Sequence, residues 1–173
     1  QSKVVSDFIN STVGLEVETH RINSKGELSH QSYPQGLLNE KQHKFIKNDF
    51  LETQSELITP PTKTTVKGLK YLGVYHQALR SELKSEEYLW PYSMPPKLKP
   101  DHSDIVIAKT DQESYEYRKR VAKIRKLAQT AETGVHVNIG FTKKAMSDLK
   151  AKEPDININE LYLQAAVGFM RYR

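Results

Sequence analysis

Hydrophobic and polar positions alternate with a period of two along three stretches of the chain and recur at helical spacing along two others. From Val13 to Ile22, Leu15 and Val17 point one way with Thr19 and Arg21, while Glu16, Glu18 and His20 point the other, which predicts a strand. Asn23-Ser24-Lys25-Gly26 is a turn signal, with Glu27 to His30 as its returning partner. Residues 31–48 are mixed and polar and read as loop followed by a short helix. Asp49 to Thr59 reads as a second strand, stopped by Pro60-Pro61, with Glu52, Gln54 and Glu56 sharing a face with Phe50 and Ile58. Gly134 to Phe141 alternates most cleanly: Val135, Val137, Ile139 and Phe141 are expected to face the core, and His136, Asn138 and Gly140 the other side. The short apolar run Ile105 to Ala108 fits a further strand.

Val66 to Leu83 predicts a helix with Val66, Leu69, Leu72, Tyr75, Leu79 and Leu83 along one face. A second helix is expected from Glu113 to Thr130, striped by Tyr117, Val121, Ile124 and Ala128, with Tyr117 and Arg118 at its start. Three prolines keep Trp90 to Pro96 out of any helix interior, so it is expected to be an ordered or lid-like loop. Thr142 is placed to cap a short helix to Lys150, and Asn157 or Asn159 to cap the last one. Strands and helices that alternate irregularly indicate an α+β fold, a largely antiparallel sheet with flanking helices.

With 37% hydrophobic and 27% charged residues among 173, and 8 Gly and 8 Pro, the composition is that of a globular chain and excludes a disordered or collagen-like one. No apolar run approaches the ~20 residues of a membrane span. The absence of cysteine excludes disulfides and thiolate metal sites and is compatible with a reducing, cytoplasmic setting. The chain starts at Gln1 and stops in an apparently helical segment, so it reads as a piece of a longer protein. The net charge is +5, and the densest basic run is Arg118-Lys119-Arg120 through Lys123, Arg125 and Lys126. That run fits a solvated helix face, a nucleic-acid patch or contacts to a small anion, but no nucleic-acid-binding motif accompanies it.

Three predicted strands place ligand-type side chains on one face: Glu16 and Glu18, then Glu52 and Glu56, then His136 and Asn138. Side chains two apart on a strand are neighbours, so carboxylates on adjacent strands can close on a hard divalent cation such as Mg²⁺ or Mn²⁺. The same pattern also suits the solvated faces of half-buried strands. Other chemistries find no support: the chain has no Gly-rich phosphate loop, no HExxH and no GxSxG elbow.

Five strings occur in an order that resembles the glutamate–cysteine ligase family, in its bacterial form. They are Gly14-Leu15-Glu16-Val17-Glu18-Thr19-His20-Arg21; Asp49-Phe50 with Glu52 and then Glu56-Leu57-Ile58-Thr59-Pro60; Leu89-Trp90-Pro91-Tyr92-Ser93-Met94-Pro95; Tyr117-Arg118; and Gly134-Val135-His136-Val137-Asn138. Gly140 departs from the pattern, standing where the family usually carries a polar or aromatic residue.

The resemblance implies part of a glutamine-synthetase-like fold, with residues 1–173 as an incomplete amino-terminal portion of the catalytic domain. It implies that ATP phosphorylates the γ-carboxylate of glutamate and that the amine of cysteine displaces the phosphate, the first step of glutathione biosynthesis. Glu16, Glu18, Asp49, Glu56 and His136 are then the metal and nucleotide-phosphate ligands, with Glu16, Glu18 and Arg118 catalytic. Asn138 would contact glutamate, and Phe50 and Tyr117 would line the cysteine side. The cofactors implied are ATP and Mg²⁺ or Mn²⁺; the partners are small-molecule substrates, with neither nucleic acid nor membrane. A further metal carboxylate and phosphate-binding arginines would lie outside this piece, which is expected to be inactive alone and to self-associate. Two alternatives stand beside this reading: a related carboxylate–amine ligase with another acceptor amine, and a binding module using the basic helix 113–130.

Overall fold

A computed structural model describes residues 11–37, 44–155, 157–160, 162, 163 and 167. The chain divides into two compact units, one of residues 13–138 and one of residues 1–12 with 139–173. Strand β1 is Ser11–Ile22, β2 is Ile46–Asn48, β3 is Gln54–Ile58, β4 is Tyr88–Leu89 and β5 is Val135–Phe141. Helix α1 is Thr65–Ser81, α2 is Gln112–Ile124 and α3 is Lys143–Lys152, with 3-10 turns at Gln35–Leu37 and Leu127–Ala131. The sheet order is β2-β3-β1-β4, and β5 also pairs with β1. The β1–β3, β2–β3 and β1–β4 pairs are antiparallel, so the α+β expectation holds.

The register sets the two faces of the larger unit. Val17 lies opposite Leu57 and Thr19 opposite Ser55, while Glu18 lies opposite Glu56 and His20 opposite Gln54. The first face is covered by α1, whose Leu79 packs into one core cluster with Tyr33, Leu37, Ile46 and Leu57. Leu57 and Leu79 are fully buried, each worth roughly 2–3 kcal/mol of transfer free energy. Thr64 caps α1 by accepting from the Lys67 N–H. Gly68 lets the helix approach β1 closely, since a Cβ there would stand 3.1 Å from Leu15 Cδ1. Arg21, on the same face, is fully buried. Its guanidinium pairs with Glu87 at 2.8 Å and donates to the Gln31, Ser32 and Glu52 carbonyls.

Several expectations are corrected. Asp49 to Thr59 is not one strand: β2 and β3 form a hairpin around a turn at 49–53, closed where the Leu51 N–H donates to Gln54 Oε1. Glu52 and Phe50 therefore leave the face they would share in a continuous strand. The strand β2 stands where a loop and helix were expected, and the rest of that expectation falls partly on residues 38–43, outside the described residues. Glu27 to His30 and Ile105 to Ala108 make only isolated bridges, Leu28 with Ile22, Glu27 with Lys97 and Ile107 with Leu51, and no run of paired positions. On α1, Val66 and Leu69 are exposed, since the buried stripe runs through Gly68, Leu72, Tyr75 and Leu79.

The basic helix is shorter than expected and has no buried residue. It ends at Ile124, which is 84% exposed, and the chain then turns at Lys126 with φ of 22°. Tyr117 and Arg118 thus sit in the middle of α2 rather than at its start. On β5, Val135, Val137 and Ile139 are exposed rather than in the core, since alternation fixes which side they take but not whether that side is covered.

In the smaller unit Thr142 caps α3 as expected, accepting from the Ala145 N–H, and Asn157 Oδ1 accepts from the Asn159 and Glu160 N–H groups. The end of the last expected helix, with Ala165 to Met170, lies largely outside the described residues. No helix among the described residues is long and apolar enough to cross a membrane.

Candidate active site

The face of β1 and β3 turned away from α1, with the start of β5 beside it, gathers the acidic residues. β1 carries Glu16 and Glu18 two positions apart, and β3 sets Glu56 directly across from Glu18. The Glu18 N–H donates to the Gly134 carbonyl, and the Gly134 N–H donates back to Glu18 Oε2 at 2.8 Å, which locks the entry of β5 against the carboxylate. His136 Nδ1 then lies 3.1 Å from Glu16 Oε2 and Nε2 lies 3.8 Å from Glu18 Oε1. The glycine leaves room for the imidazole: a Cβ at Gly134 would stand 2.9 Å from His136 Nε2 and displace the ring.

One ligand atom each from Glu16, Glu56 and His136 lies within 4.8 Å of the others. Burial, then the charges of Asp49, Glu16 and Glu18, push the Glu56 carboxyl up to about 7. Burial also raises Glu18 and Asp49, partly offset by the backbone N–H groups that each accepts from. The hydrogen bond to Glu16 holds the His136 imidazole above its ordinary range, and the charges of Glu18, Glu16 and Glu56 add to this. Glu16, Glu18, Asp49 and Glu56 are four carboxylates gathered here, and the charges of Asp49 and Glu16 oppose ionisation of Glu18 and Glu56. Two of them, with an imidazole, converge as an oxygen-rich donor set that fits a hard or borderline divalent cation.

The remaining expected site residues are placed less uniformly. Asp49 follows β2, and it senses the Arg118 and His136 charges and raises Glu18 and Glu56, but it is not one of the three converging ligands. Arg118 donates to the Ala108 carbonyl at 3.1 Å and to Thr110 Oγ1 at 2.9 Å. Asn138 shares the His136 side of β5 by alternation, and its Cβ is 3.7 Å from the Cβ position of Gly14. Phe50 packs against the second core cluster of Leu28, Leu51, Ile105 and Ala131, and Tyr117 is 58% exposed. Glu52 is turned to another task, accepting from the Tyr33 N–H.

Alternation places His20 with Glu18 and Gln54 with Glu56, but it singles out neither Gly134 as a donor nor His20 and Gln54 as a buried pair that continues the acidic face. Their shared parity with Glu18 and Glu56 was visible along the chain; their opposition across two strands was not.

The whole chain, residues 1–173, matches the family model described as glutamate-cysteine ligase. It is 31% identical over 175 residues to the glutathione biosynthesis bifunctional protein of Streptococcus thermophilus, covering 99% of this chain and 23% of that protein. Its structure is similar to the crystal structure of a bifunctional glutathione synthetase from Pasteurella multocida, with a TM-score of 0.84 and 32% identity over 96% of this chain and 23% of that one. It is also similar to a glutamate–cysteine ligase from Francisella tularensis in complex with AMP, with a TM-score of 0.78 and 26% identity over 88% of this chain and 31% of that one. The chain thus spans about a quarter of the length of the bifunctional relatives it matches.

Proposed function

The chain belongs to the glutamate–cysteine ligase family, and on that premise we propose that it is an amino-terminal portion of an ATP-dependent ligase. The enzyme joins the γ-carboxyl of L-glutamate to the amine of L-cysteine through γ-glutamyl phosphate, the first step of glutathione biosynthesis, in the cytoplasm. The observation that carries this reading is the convergence of Glu16, Glu56 and His136 beside Glu18 on one sheet face.

In this reading Glu16, Glu18, Asp49, Glu56 and His136 are the groups that would hold Mg²⁺ or Mn²⁺ and serve the nucleotide phosphates. A bound cation supplies neutralisation of the charge on the transferring phosphoryl group. The protein's own part is to position: antiparallel strands hold the carboxylates at fixed spacing, and the Gly134 N–H orients Glu18. Asn138 binds glutamate, Phe50 and Tyr117 line the cysteine side, and Arg118 meets an anionic group nearby. The AMP in the Francisella tularensis relative supports a nucleotide site in this family.

The test uses the longer protein that contains this chain, given ATP, glutamate, cysteine and Mg²⁺, and follows ADP release. Glu18→Gln keeps the shape but removes a ligand charge, and a rate loss on the order of 10²-fold is expected. A wild-type rate in that variant would remove Glu18 from the proposed role. Turnover with some other amine alone would keep the chemistry and change the acceptor. The 173-residue chain by itself should give no turnover.

A further inference from the structure

The acidic face does not end at Glu18 and Glu56. The next pair along β1 and β3 is His20 and Gln54, directly opposite each other and almost wholly buried. Both reach out of the sheet to the same segment, residues 130–132, which only Thr133 and Gly134 separate from β5. Gln54 Nε2 donates to the Thr130 carbonyl at 3.2 Å and to the Glu132 carbonyl at 3.1 Å. His20 Nε2 lies 2.9 Å from the Ala131 carbonyl, and His20 Nδ1 lies 2.9 Å from Thr53 Oγ1. A carbonyl can only accept, so Nε2 carries the hydrogen and Nδ1 accepts from the Thr53 hydroxyl. Three consecutive carbonyls are thus held by two side chains of the sheet. Thr133 completes the fastening, its N–H donating to the Ser93 carbonyl and its hydroxyl to the Tyr92 carbonyl.

We propose that His20 and Gln54 are positioning residues, a buried clamp that sets where Gly134 and His136 enter the candidate cation site. Resting on the reading above, this assigns the face two zones: its outer carboxylates meet the cation, and its inner amide and imidazole place the strand that brings the nitrogen ligand. The geometry favours this over generic packing. The clamp acts on main-chain carbonyls two to four residues before Gly134, and the Gly134 N–H is the donor that Glu18 accepts from. A ligand-bearing strand held at its entry by buried, directional bonds keeps its geometry without support from its own exposed side chains.

The test reads the longer protein that contains this chain in two ways: amide hydrogen exchange at Gly134 compared with α1, and Mn²⁺ affinity by calorimetric titration. His20→Phe keeps an aromatic ring and loses both bonds; Gln54→Met keeps length and loses both donors, together with the acceptor of the Leu51 N–H; His20→Gln restores an N–H for the Ala131 carbonyl. In the first two variants, Gly134 protection and Mn²⁺ affinity should each fall about tenfold, with α1 amides changed less than about twofold. His20→Gln should recover most of both losses. Unchanged Gly134 exchange, or a fall matched by α1, would overturn the clamp in favour of plain stability. If His20→Phe does not fold, Gln54→Met decides on the same two readings. A wild-type chain that binds no Mn²⁺ would sink the cation reading, while Gly134 exchange would still decide the clamp.

Discussion

Glu18 on β1 and Glu56 on β3 face each other across an antiparallel pair, on the one sheet face that α1 leaves open. Like charges directly opposite are destabilising, and here they are half-buried with Asp49 and Glu16 close enough to add to the repulsion. The arrangement costs stability in the absence of a cation, and the first two predictions follow from that cost.

The folded-state Glu56 carboxyl, raised to about 7 from 4.5, binds its proton more tightly than in the unfolded chain. Its contribution therefore leaves stability undiminished below about pH 4.5 and lowers it progressively as pH rises to about 7. Glu56→Gln should raise stability at pH 8 by about 1–2 kcal/mol, allowing for solvent screening, and leave it unchanged near pH 4. Urea unfolding at the two pH values checks this; equal effects at both would refute it.

A divalent cation must displace protons from Glu56, Glu18 and His136, all of which hold them more tightly than usual. Mn²⁺ should therefore raise the melting temperature more at pH 8 than at pH 6. Calorimetric scans with and without the ion measure it, and an identical shift at both pH values would count against the site.

Gly134→Ala introduces a methyl 2.9 Å from His136 Nε2. The imidazole is half-exposed and can swing away cheaply, so folding should survive while Mn²⁺ affinity drops about tenfold. Unaltered affinity in a folded variant would show that His136 is not a ligand.

Arg21 and Glu87 form a buried ion pair on the opposite face, with side-chain exposures of 0% and 4%. Arg21→Met leaves the Glu87 carboxylate without its cation, and a loss of about 3–5 kcal/mol is expected in denaturant unfolding. A loss below about 1 kcal/mol would place the pair among inconsequential surface bridges.

The boundary between readable and unreadable features runs through single elements. On β1, alternation assigned Leu15, Val17, Thr19 and Arg21 to one side and Glu16, Glu18 and His20 to the other, and the register agrees. The same rule failed on β5: it separated Val137 from His136 correctly but sent Val135, Val137 and Ile139 to a core that does not cover them. It failed again at Asp49 to Thr53, where a side-chain hydrogen bond from Leu51 to Gln54 closes a turn inside an apparently continuous strand. On α2, the stripe through Tyr117 and Ile124 is helical in spacing but exposed, because helical spacing does not say whether a neighbour is present.

Periodicity depends on bonded neighbours, so the amino-acid order alone was enough for the existence of β1, α1, β5 and α3, for the Thr142 cap and for the acidic character of one face. The family likeness was carried by short strings in order, which needs no coordinates either. Convergence is another matter. His136 meets Glu16 across 120 residues, and Gln54 reaches Glu132 across 78. Those distances are set by strand register, by which side of the sheet α1 covers, and by a loop whose carbonyls are held by buried side chains. Each of these is a balance of packing and desolvation among residues far apart in the chain, and it takes a value only once the chain has folded.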